Sequence, residues 1–422
     1  MELIRLYYNS IDVMPSVLIR HFARYLGLYV EENPDQKSID NHSLADIYII
    51  SDEYVKEQNT FLDVPYEDRT ILVMKDGYRT DDTRVKAVYY DDEPIDKFLR
   101  KLFHVICDLI EAHGMESVMM MQRNTDYRAI IDCVVDAYVS NDIMQASLFN
   151  RCFYKENSLY EMAIKRYKQF ISDIDRGFSE FEHSDLLKYV MTYAKYEINL
   201  VCRKNIKKYE YDTKEMMDLC EYLRRKHPGN EELYLLKADI QLELLDRWLW
   251  ACDDFADAHI AHCAYAYYKR GKIYNYYLKE YDNAKYLLKH AVKKKEDYVY
   301  AWYQLGVCYD AQAKYNKAIK AFKKILNILK SKYIQNVLAP MEMEYMYKAA
   351  MRIAVVYKTR LGDYVSAYAY NDFAESIRKR NATKGYVEQI WTGPNKIEVD
   401  KAFQIIDDTL KNKFNLKLEE IY

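Results

Sequence analysis

Glycine and proline are scarce, at 10 and 7 residues in a chain of 422. So little turn chemistry excludes a fold of many hairpins and points to helices joined by short connections. The cysteines, Cys107, Cys133, Cys152, Cys202, Cys220, Cys252, Cys263 and Cys308, are scattered singly with no C-x-x-C pair. That spacing excludes a disulfide or zinc-ribbon framework and predicts reduced thiols in a cytosolic protein. No apolar run reaches the ~18–20 residues a membrane helix requires. The opening MELIRLYYNS has no basic stretch leading into an apolar core, so no secretory leader is expected.

Cationic excess is missing too. Lys and Arg total 62 against 65 for Asp and Glu, a formal charge of −3, which removes the electrostatic basis for non-specific nucleic-acid binding. The short basic runs KKKED (293–297) and KNKFNLK (411–417) then read as solvated helix ends. No G-x-G-x-x-G, P-loop, H-E-x-x-H or G-x-S-x-G occurs.

Hydrophobic residues at 50 % and charged residues at 30 % mark a globular chain. Tyrosine is in excess, at 44 residues. Such rings either fill helix-packing positions or form a stacking surface for a peptide; packing is the expectation for most of them.

The first ~110 residues alternate between strand and helix patterns. LIRLYY (3–8), LYVEE (28–32), ADIYIIS (45–51), TILVMK (70–75) and VKAVYY (85–90) read as strands. PSVLIRHFARYLG (15–27) and PIDKFLRKLFHVICDLIEAHG (94–114) have helical spacing, with Pro near each start and Gly at each end. Alternation of this kind predicts a parallel sheet covered on both faces, with its site at the carboxyl ends of the strands. The acidic runs EENPD (31–35), DD (81–82) and DDE (91–93) fall on predicted loops and read as a solvated rim.

After residue 115 helical periodicity takes over. SVMMMQ (117–122) reads as gap-filling core. From about 230 a repeat becomes legible. VYAWYQLGVCYDAQAKYNKAIKAFKKIL (299–326) carries Trp302, Leu305, Gly306 and Tyr309 on one helix and Ala318, Phe322 and Ile325 on a second. The preceding unit matches with Tyr267, Gly271, Tyr274, Ala284, Leu288 and Ala291, its glycine 35 residues earlier. Weaker copies carry Pro228, Tyr234 and Ala238 before, and Ala350, Ile353, Ala354, Tyr357, Ala367 and Ala374 after. Small residues admit a close helix pair and large ones fill the gap to the next pair.

This pattern resembles the tetratricopeptide-repeat family, strongly over 263–333 and more loosely before 228. The resemblance implies a solenoid whose groove binds a peptide or protein segment. Trp302, Tyr309, Phe322, Tyr267 and Tyr274 would pack the repeats, and Tyr268, Lys272, Tyr303 and Val307 on the first helices would line the groove. TRLGDY and KRGKIY do not provide the Lys/Asn/Arg spacing with which such domains clamp a terminal carboxylate.

The start of the chain carries a second resemblance. HSLADIYIISDEYVKEQ followed by RTILVMKDG is similar to the Toll/interleukin receptor (TIR) family, with Ser51, Tyr54 and Val55 at the strand end and helix opening. NAD-cleaving members place a glutamate in that helix beyond a tryptophan–cysteine pair. Here Gln58, Asn59, Thr60, Phe61 and Leu62 occupy the region, with Asp63 near the expected place and Glu57 earlier. The segment also resembles a phospho-acceptor receiver, but Ser51 (with Asp52 next), Asn9, Ser10 and Glu93 before Pro94 replace that family's acids and lysine. An acid in place of the lysine reverses the charge meant for a phosphoryl group. Either way the chemistry is missing or displaced.

ACDDFADAHIAHC (251–263) holds zinc-ligand residue types, Cys252, Asp253, Asp254, Asp257, His259, His262 and Cys263, at a spacing that fits no standard zinc pattern. It reads as an acidic, solvated segment, and no metal or cofactor is expected.

The expectation is therefore an α/β N-terminal domain of flavodoxin/TIR-like parallel-sheet type over 1–112, an irregular helical region over 113–228, an all-α tetratricopeptide-repeat solenoid over 229–384 and a C-terminal helical cap over 385–422. The expected function is non-catalytic, a cytoplasmic scaffold binding a protein or peptide partner in the groove and self-associating through the N-terminal domain, with neither nucleic acid nor membrane as partner. The alternative is an NAD-hydrolysing effector using Glu57 or Asp63 beside Ser51, with NAD as substrate.

Overall fold

The structure, a computed structural model, describes residues 4–7, 13–32, 47–51, 69–74, 86–89, 94–115, 119–121, 125–151, 157–177, 184–204, 208–257, 260–261, 263–334 and 340–383. Asn9, Ser10, Asp52, Tyr54, Val55, the expected carboxylates Glu57 and Asp63, Glu93, His259, His262 and the expected cap at 385–422 lie outside them. The chain packs as two compact units, Met1–Ile260 and Ala261–Tyr422.

In the first unit, strands β1 (Ile4–Tyr7), β2 (Val30–Glu32), β3 (Ile47–Ser51), β4 (Thr70–Met74) and β5 (Lys86–Tyr89) form a five-stranded sheet in the order β2-β1-β3-β4-β5. Each pairing is parallel. Every residue of β3 is buried, as expected of an unalternating apolar strand in a sheet covered on both faces. The order reverses between β1 and β3, where Tyr7 pairs in register with Ile50. Ser51, one step beyond, is buried at the carboxyl end of β3 and pairs with Val73.

Helix α1 (Val13–Tyr25) follows β1, and α2 (Ile95–Ala112) follows β5. Then come α3 (Tyr127–Ser140), α4 (Ile143–Arg151), α5 (Asn157–Gly177), α6 (Asp185–Lys204), α7 (Thr213–Lys226), α8 (Glu231–Glu243) and α9 (Trp248–Asp254). No described helix is long and apolar enough to cross a membrane.

Helix α1 explains why strands and helices share one unit. Phe22 meets Phe103 of α2 and Tyr138 of α3 edge-on, with centroids 4.9 and 5.0 Å apart. Tyr25, fully buried, meets Tyr138, Phe170 of α5 and Tyr193 of α6, all near-perpendicular. Edge-to-face contacts at these separations suit the ring quadrupoles. Tyrosine here is packing material, as its abundance suggested. Met119, Met120 and Met121 are buried as core.

One turn along, the helix end is held by polar groups. Arg24 reaches Glu232 at 3.3 Å and Asp239 at 3.2 Å, both buried on α8, and its guanidinium lies 5.2 Å from the centre of the Tyr193 ring. The Tyr189 hydroxyl donates to the Arg24 carbonyl at 3.1 Å. Asn230 caps α8 through Leu233 N–H, and its amide donates to the Gly27 carbonyl at 2.8 Å. Gly27 sits at φ +66°, and a Cβ there would collide with Met120 and press Tyr189, so both conformation and space demand glycine.

Two buried carboxylates thus share one guanidinium. Burial pushes the Glu232 carboxyl up to about 7, Arg24 pulling it down and Asp239 pushing it up. The folded chain holds this proton more tightly than the unfolded chain does. The group's contribution is therefore fully present below about pH 4.5, its ordinary value, and is lost as pH rises toward about 7. Hydrogen exchange in α8 should accordingly speed up across that window in the native chain, and Glu232→Gln should flatten the dependence. Arg24→Ala, which leaves both carboxylates buried without their cation, should cost about 3–5 kcal/mol in urea denaturation.

Candidate functional site

The second unit is made of helix pairs. Helix α10 (Ala264–Ile273) runs into a π-turn (Tyr274–Leu278) and pairs with α11 (Tyr281–Lys294). Helix α12 (Val299–Ala311) pairs with α13 (Tyr315–Ile334), and α14 (Pro340–Val356) runs through a second π-turn (Tyr357–Leu361) into α15 (Tyr364–Thr383).

Close approach within a pair depends on missing side chains. A Cβ on Gly306 would lie 2.5 Å from the Phe322 ring, and one on Gly271 would lie 2.6 Å from Leu288. Either glycine therefore admits a large residue of the second helix directly onto the first. Phe322 and Leu288 are fully buried as a result.

The turns fix the register between pairs. The carbonyls of Tyr274, Tyr309 and Tyr357 accept from the N–H of Glu280, Lys314 and Asp363 at 3.0, 2.9 and 3.0 Å. Before each donor stands a left-handed residue, Lys279, Ala313 and Gly362. The three tyrosines are thus equivalent, and the two π-turns each insert one residue that the middle pair lacks. Counting back from them, Tyr268, Tyr303 and Met351 form one column, and Lys272, Val307 and Val355 another.

The four groove residues expected from sequence all fall on these two columns. Tyr268 and Tyr303 are nearly covered, each 8 % exposed, while Lys272 and Val307 are half-buried. Trp302, Tyr309, Tyr267 and Tyr274, expected to pack the repeats, are half-buried and packed against the core clusters of these helices. Tyr303 is covered by Tyr345 of α14. Its ring stands edge-on to Tyr300 at 4.7 Å and to Tyr303 at 5.3 Å. Tyr300 in turn lies 6.2 Å from Tyr268, and Tyr298 lies 5.3 Å from it. One aromatic run therefore links the first helices of all three pairs. Tyr345 carried no repeat signal in the sequence, which is why it was missed.

Polar groups border this run. Arg352 Nε donates to the Tyr303 hydroxyl at 3.4 Å. Burial works against its charge, but the Tyr303 bond, Tyr303 and Tyr276 nearby and the Asp310 carboxylate together hold it above the ordinary arginine range. Burial likewise pushes the Tyr276 phenol up, with Tyr303 adding to it and Arg352 and Gln304 opposing. Tyr276 and Tyr277 are 38 % and 43 % exposed. Asp310 has one buried carboxylate oxygen with no hydrogen-bond partner among the described residues. The face offers rings, a guanidinium and an acceptor side by side, which suits a ligand bringing both apolar area and hydrogen-bonding groups.

Two other charged clusters pair internally. Asp185 takes Lys226, His227 and Lys188 at 2.6, 2.8 and 3.3 Å. Glu221 takes Arg224, Arg225 and Lys237, and the Arg224 hydrogen bond leads the contacts that hold its carboxyl down at about 2. In the 251–263 segment Asp254 bonds Lys237 at 3.1 Å, Asp257 lies 3.6 Å from Arg224, and Cys263 Sγ accepts from Ala266 N–H at the start of α10. Among the described residues no group of three metal-capable side chains comes together. Burial pushes the thiols of Cys107 and Cys220 up to about 12 and that of Cys308 to about 11, which makes poor nucleophiles of them.

The tetratricopeptide-repeat family model matches residues 277–339. No curated protein matches the chain. Among solved structures, the crystal structure of MamA is 21 % identical over 44 % of this chain and 98 % of its own, with a TM-score of 0.35. A MamA structure beginning at its residue 41, from Desulfovibrio magneticus RS-1, is 17 % identical over 45 % and 96 %, with a TM-score of 0.34. Likeness at that level leaves function to the residues themselves.

Gly306→Ala should destabilise the second unit by about 1–3 kcal/mol, because forcing a methyl into the Phe322 ring outweighs the ~1 kcal/mol that alanine gains in a helix. Thermal unfolding reads this, and adding Phe322→Leu should recover part of the loss.

Proposed function

We propose that the second unit binds a segment of another protein along the first-helix face, and that the protein is a non-catalytic scaffold. The observation that carries this reading is the face itself. Arg352, Asp310, Tyr276 and the aromatic run from Tyr268 to Tyr345 gather hydrogen-bonding and apolar groups from three successive helices, and the tetratricopeptide-repeat match over 277–339 includes Tyr303 and Asp310 among them. The partner is a protein or peptide; neither nucleic acid nor membrane has a matching surface in this reading. The N-terminal module serves assembly, including self-association, in a cytoplasmic protein.

A second reading has one observation in its favour. The parallel order β2-β1-β3-β4-β5 is that of flavodoxin-like, doubly wound domains, and Ser51 ends β3 beside the reversal, where such domains place ligands. Under this reading the module is TIR-like and hydrolyses NAD, with Glu57 or Asp63 as its carboxylate.

Arg352→Glu and Lys272→Glu should each weaken recovery of a stoichiometric partner by about tenfold or more, the range for a central interface residue. Partner recovery unchanged in both variants, with the fold intact by circular dichroism, overturns the placement of the site. The full chain incubated with NAD should release no nicotinamide. Release that disappears in Glu57→Ala or Asp63→Ala would establish the second reading instead.

A further inference from the structure

The repeat register sets two polar columns against each other. Counting five residues back from Tyr274, Tyr309 and Tyr357 gives Lys269, Gln304 and Arg352, and counting one forward gives Asn275, Asp310 and Lys358. From one helix pair to the next, the second column meets the first. At the first step the contact is closed. The Asn275 amide donates to the Gln304 carbonyl at 3.4 Å and to the Gln304 side-chain oxygen at 3.5 Å, and both residues are buried.

At the second step Asp310 and Arg352 stand in the same two places with opposite charges, yet they form no ion pair. Arg352 bonds only the Tyr303 hydroxyl, through Nε, so neither Nη group has a hydrogen bond among the described residues. One Asp310 carboxylate oxygen is buried and has no partner there either. Burial works against the Arg352 charge, while the Tyr303 bond, the neighbouring phenols and Asp310 hold it. The acid and the guanidinium are thus near each other but separate. A buried acceptor beside an open guanidinium fork is costly unless a third group completes both.

The chemistry of the two groups selects the third. An acid would suit Arg352 and repel Asp310, and an amine would do the reverse. A side-chain carboxamide is uncharged and carries both an N–H donor and a C=O acceptor at its tip. Its donor answers Asp310 and its acceptor answers Arg352. Tyr276, 38 % exposed and close enough for Arg352 to act on its phenol, offers its ring to the methylene stem. We infer, resting on the binding reading above, that the bound segment places an Asn or Gln side chain between Asp310 and Arg352. The partner then completes at this step what Asn275 completes from within the chain at the step before.

Random dodecapeptides displayed on phage and panned on the full chain supply the probe. Selected peptides that slow hydrogen exchange over residues 303–310 and 345–352 should share one Asn or Gln. Replacing it by Asp or Glu in the synthetic peptide should weaken binding about tenfold or more in calorimetry, because the new acid meets Asp310. Asp310→Asn, equal in size, should reverse that order, so that the acidic peptide binds the variant better than the amide peptide. A purely structural role for Asp310 would weaken both peptides alike and leave their order unchanged. Circular dichroism checks the fold, and Asp310→Ser, for which the same reversal is expected, takes the place of Asp310→Asn if that variant does not fold. Peptides that protect these helices but keep their affinity when the amide becomes an acid, or keep their order in the variant, overturn the inference and leave the binding reading standing. Panning that yields no peptide on this face overturns both.

Discussion

The second unit depends on two places where a side chain is missing. Gly306 lets the Phe322 ring, and Gly271 lets Leu288, lie directly on a neighbouring helix. Closely approached pairs stack with their first helices side by side, and that alignment turns single tyrosines into one packed aromatic run. Without it Tyr268, Tyr303 and Tyr345 would be isolated rings on separate helices. With it, each stands within edge-to-face reach of a neighbour. The site is a consequence of packing rather than an addition to it.

The first unit reaches its cohesion by another route. Its helix α1 combines an aromatic face, Phe22 and Tyr25, with a charged end at Arg24 that is gripped by two buried carboxylates. A single cation between two buried acids is a costly arrangement, and burial is the first cause of the raised Glu232 carboxyl, with Asp239 adding to it. Arg24 thereby ties α1 to α8, more than 200 positions away in sequence.

What sequence could reveal followed the range of its signals. Strand and helix positions in the first 112 residues were readable because apolar runs and Pro/Gly punctuation are local. The pairing of Gly306 with Phe322 was readable because a missing side chain and a large one recur in successive units, 17 residues apart for Gly271 and Leu288 and 16 for Gly306 and Phe322. Tyr345 was not, because it lies before the repeat positions of its own helix and gains its role only when α14 is set beside α12. The link from Arg24 to Glu232 and Asp239 was equally hidden, since nothing local to any of the three residues points to the others. Tyr268 and Tyr303 stand at equivalent positions of their helices, and their burial could not be read without Tyr345.

The central claim is that a partner lies on the first helices of the second unit. Hydrogen exchange of the full chain with and without its recovered partner measures this most directly. Slower exchange over residues 268–276, 303–310 and 345–352, with no change around the exposed Tyr286 and Tyr364 of the second helices, is the predicted result. Protection confined to the second helices, or to residues before 260, would contradict the account.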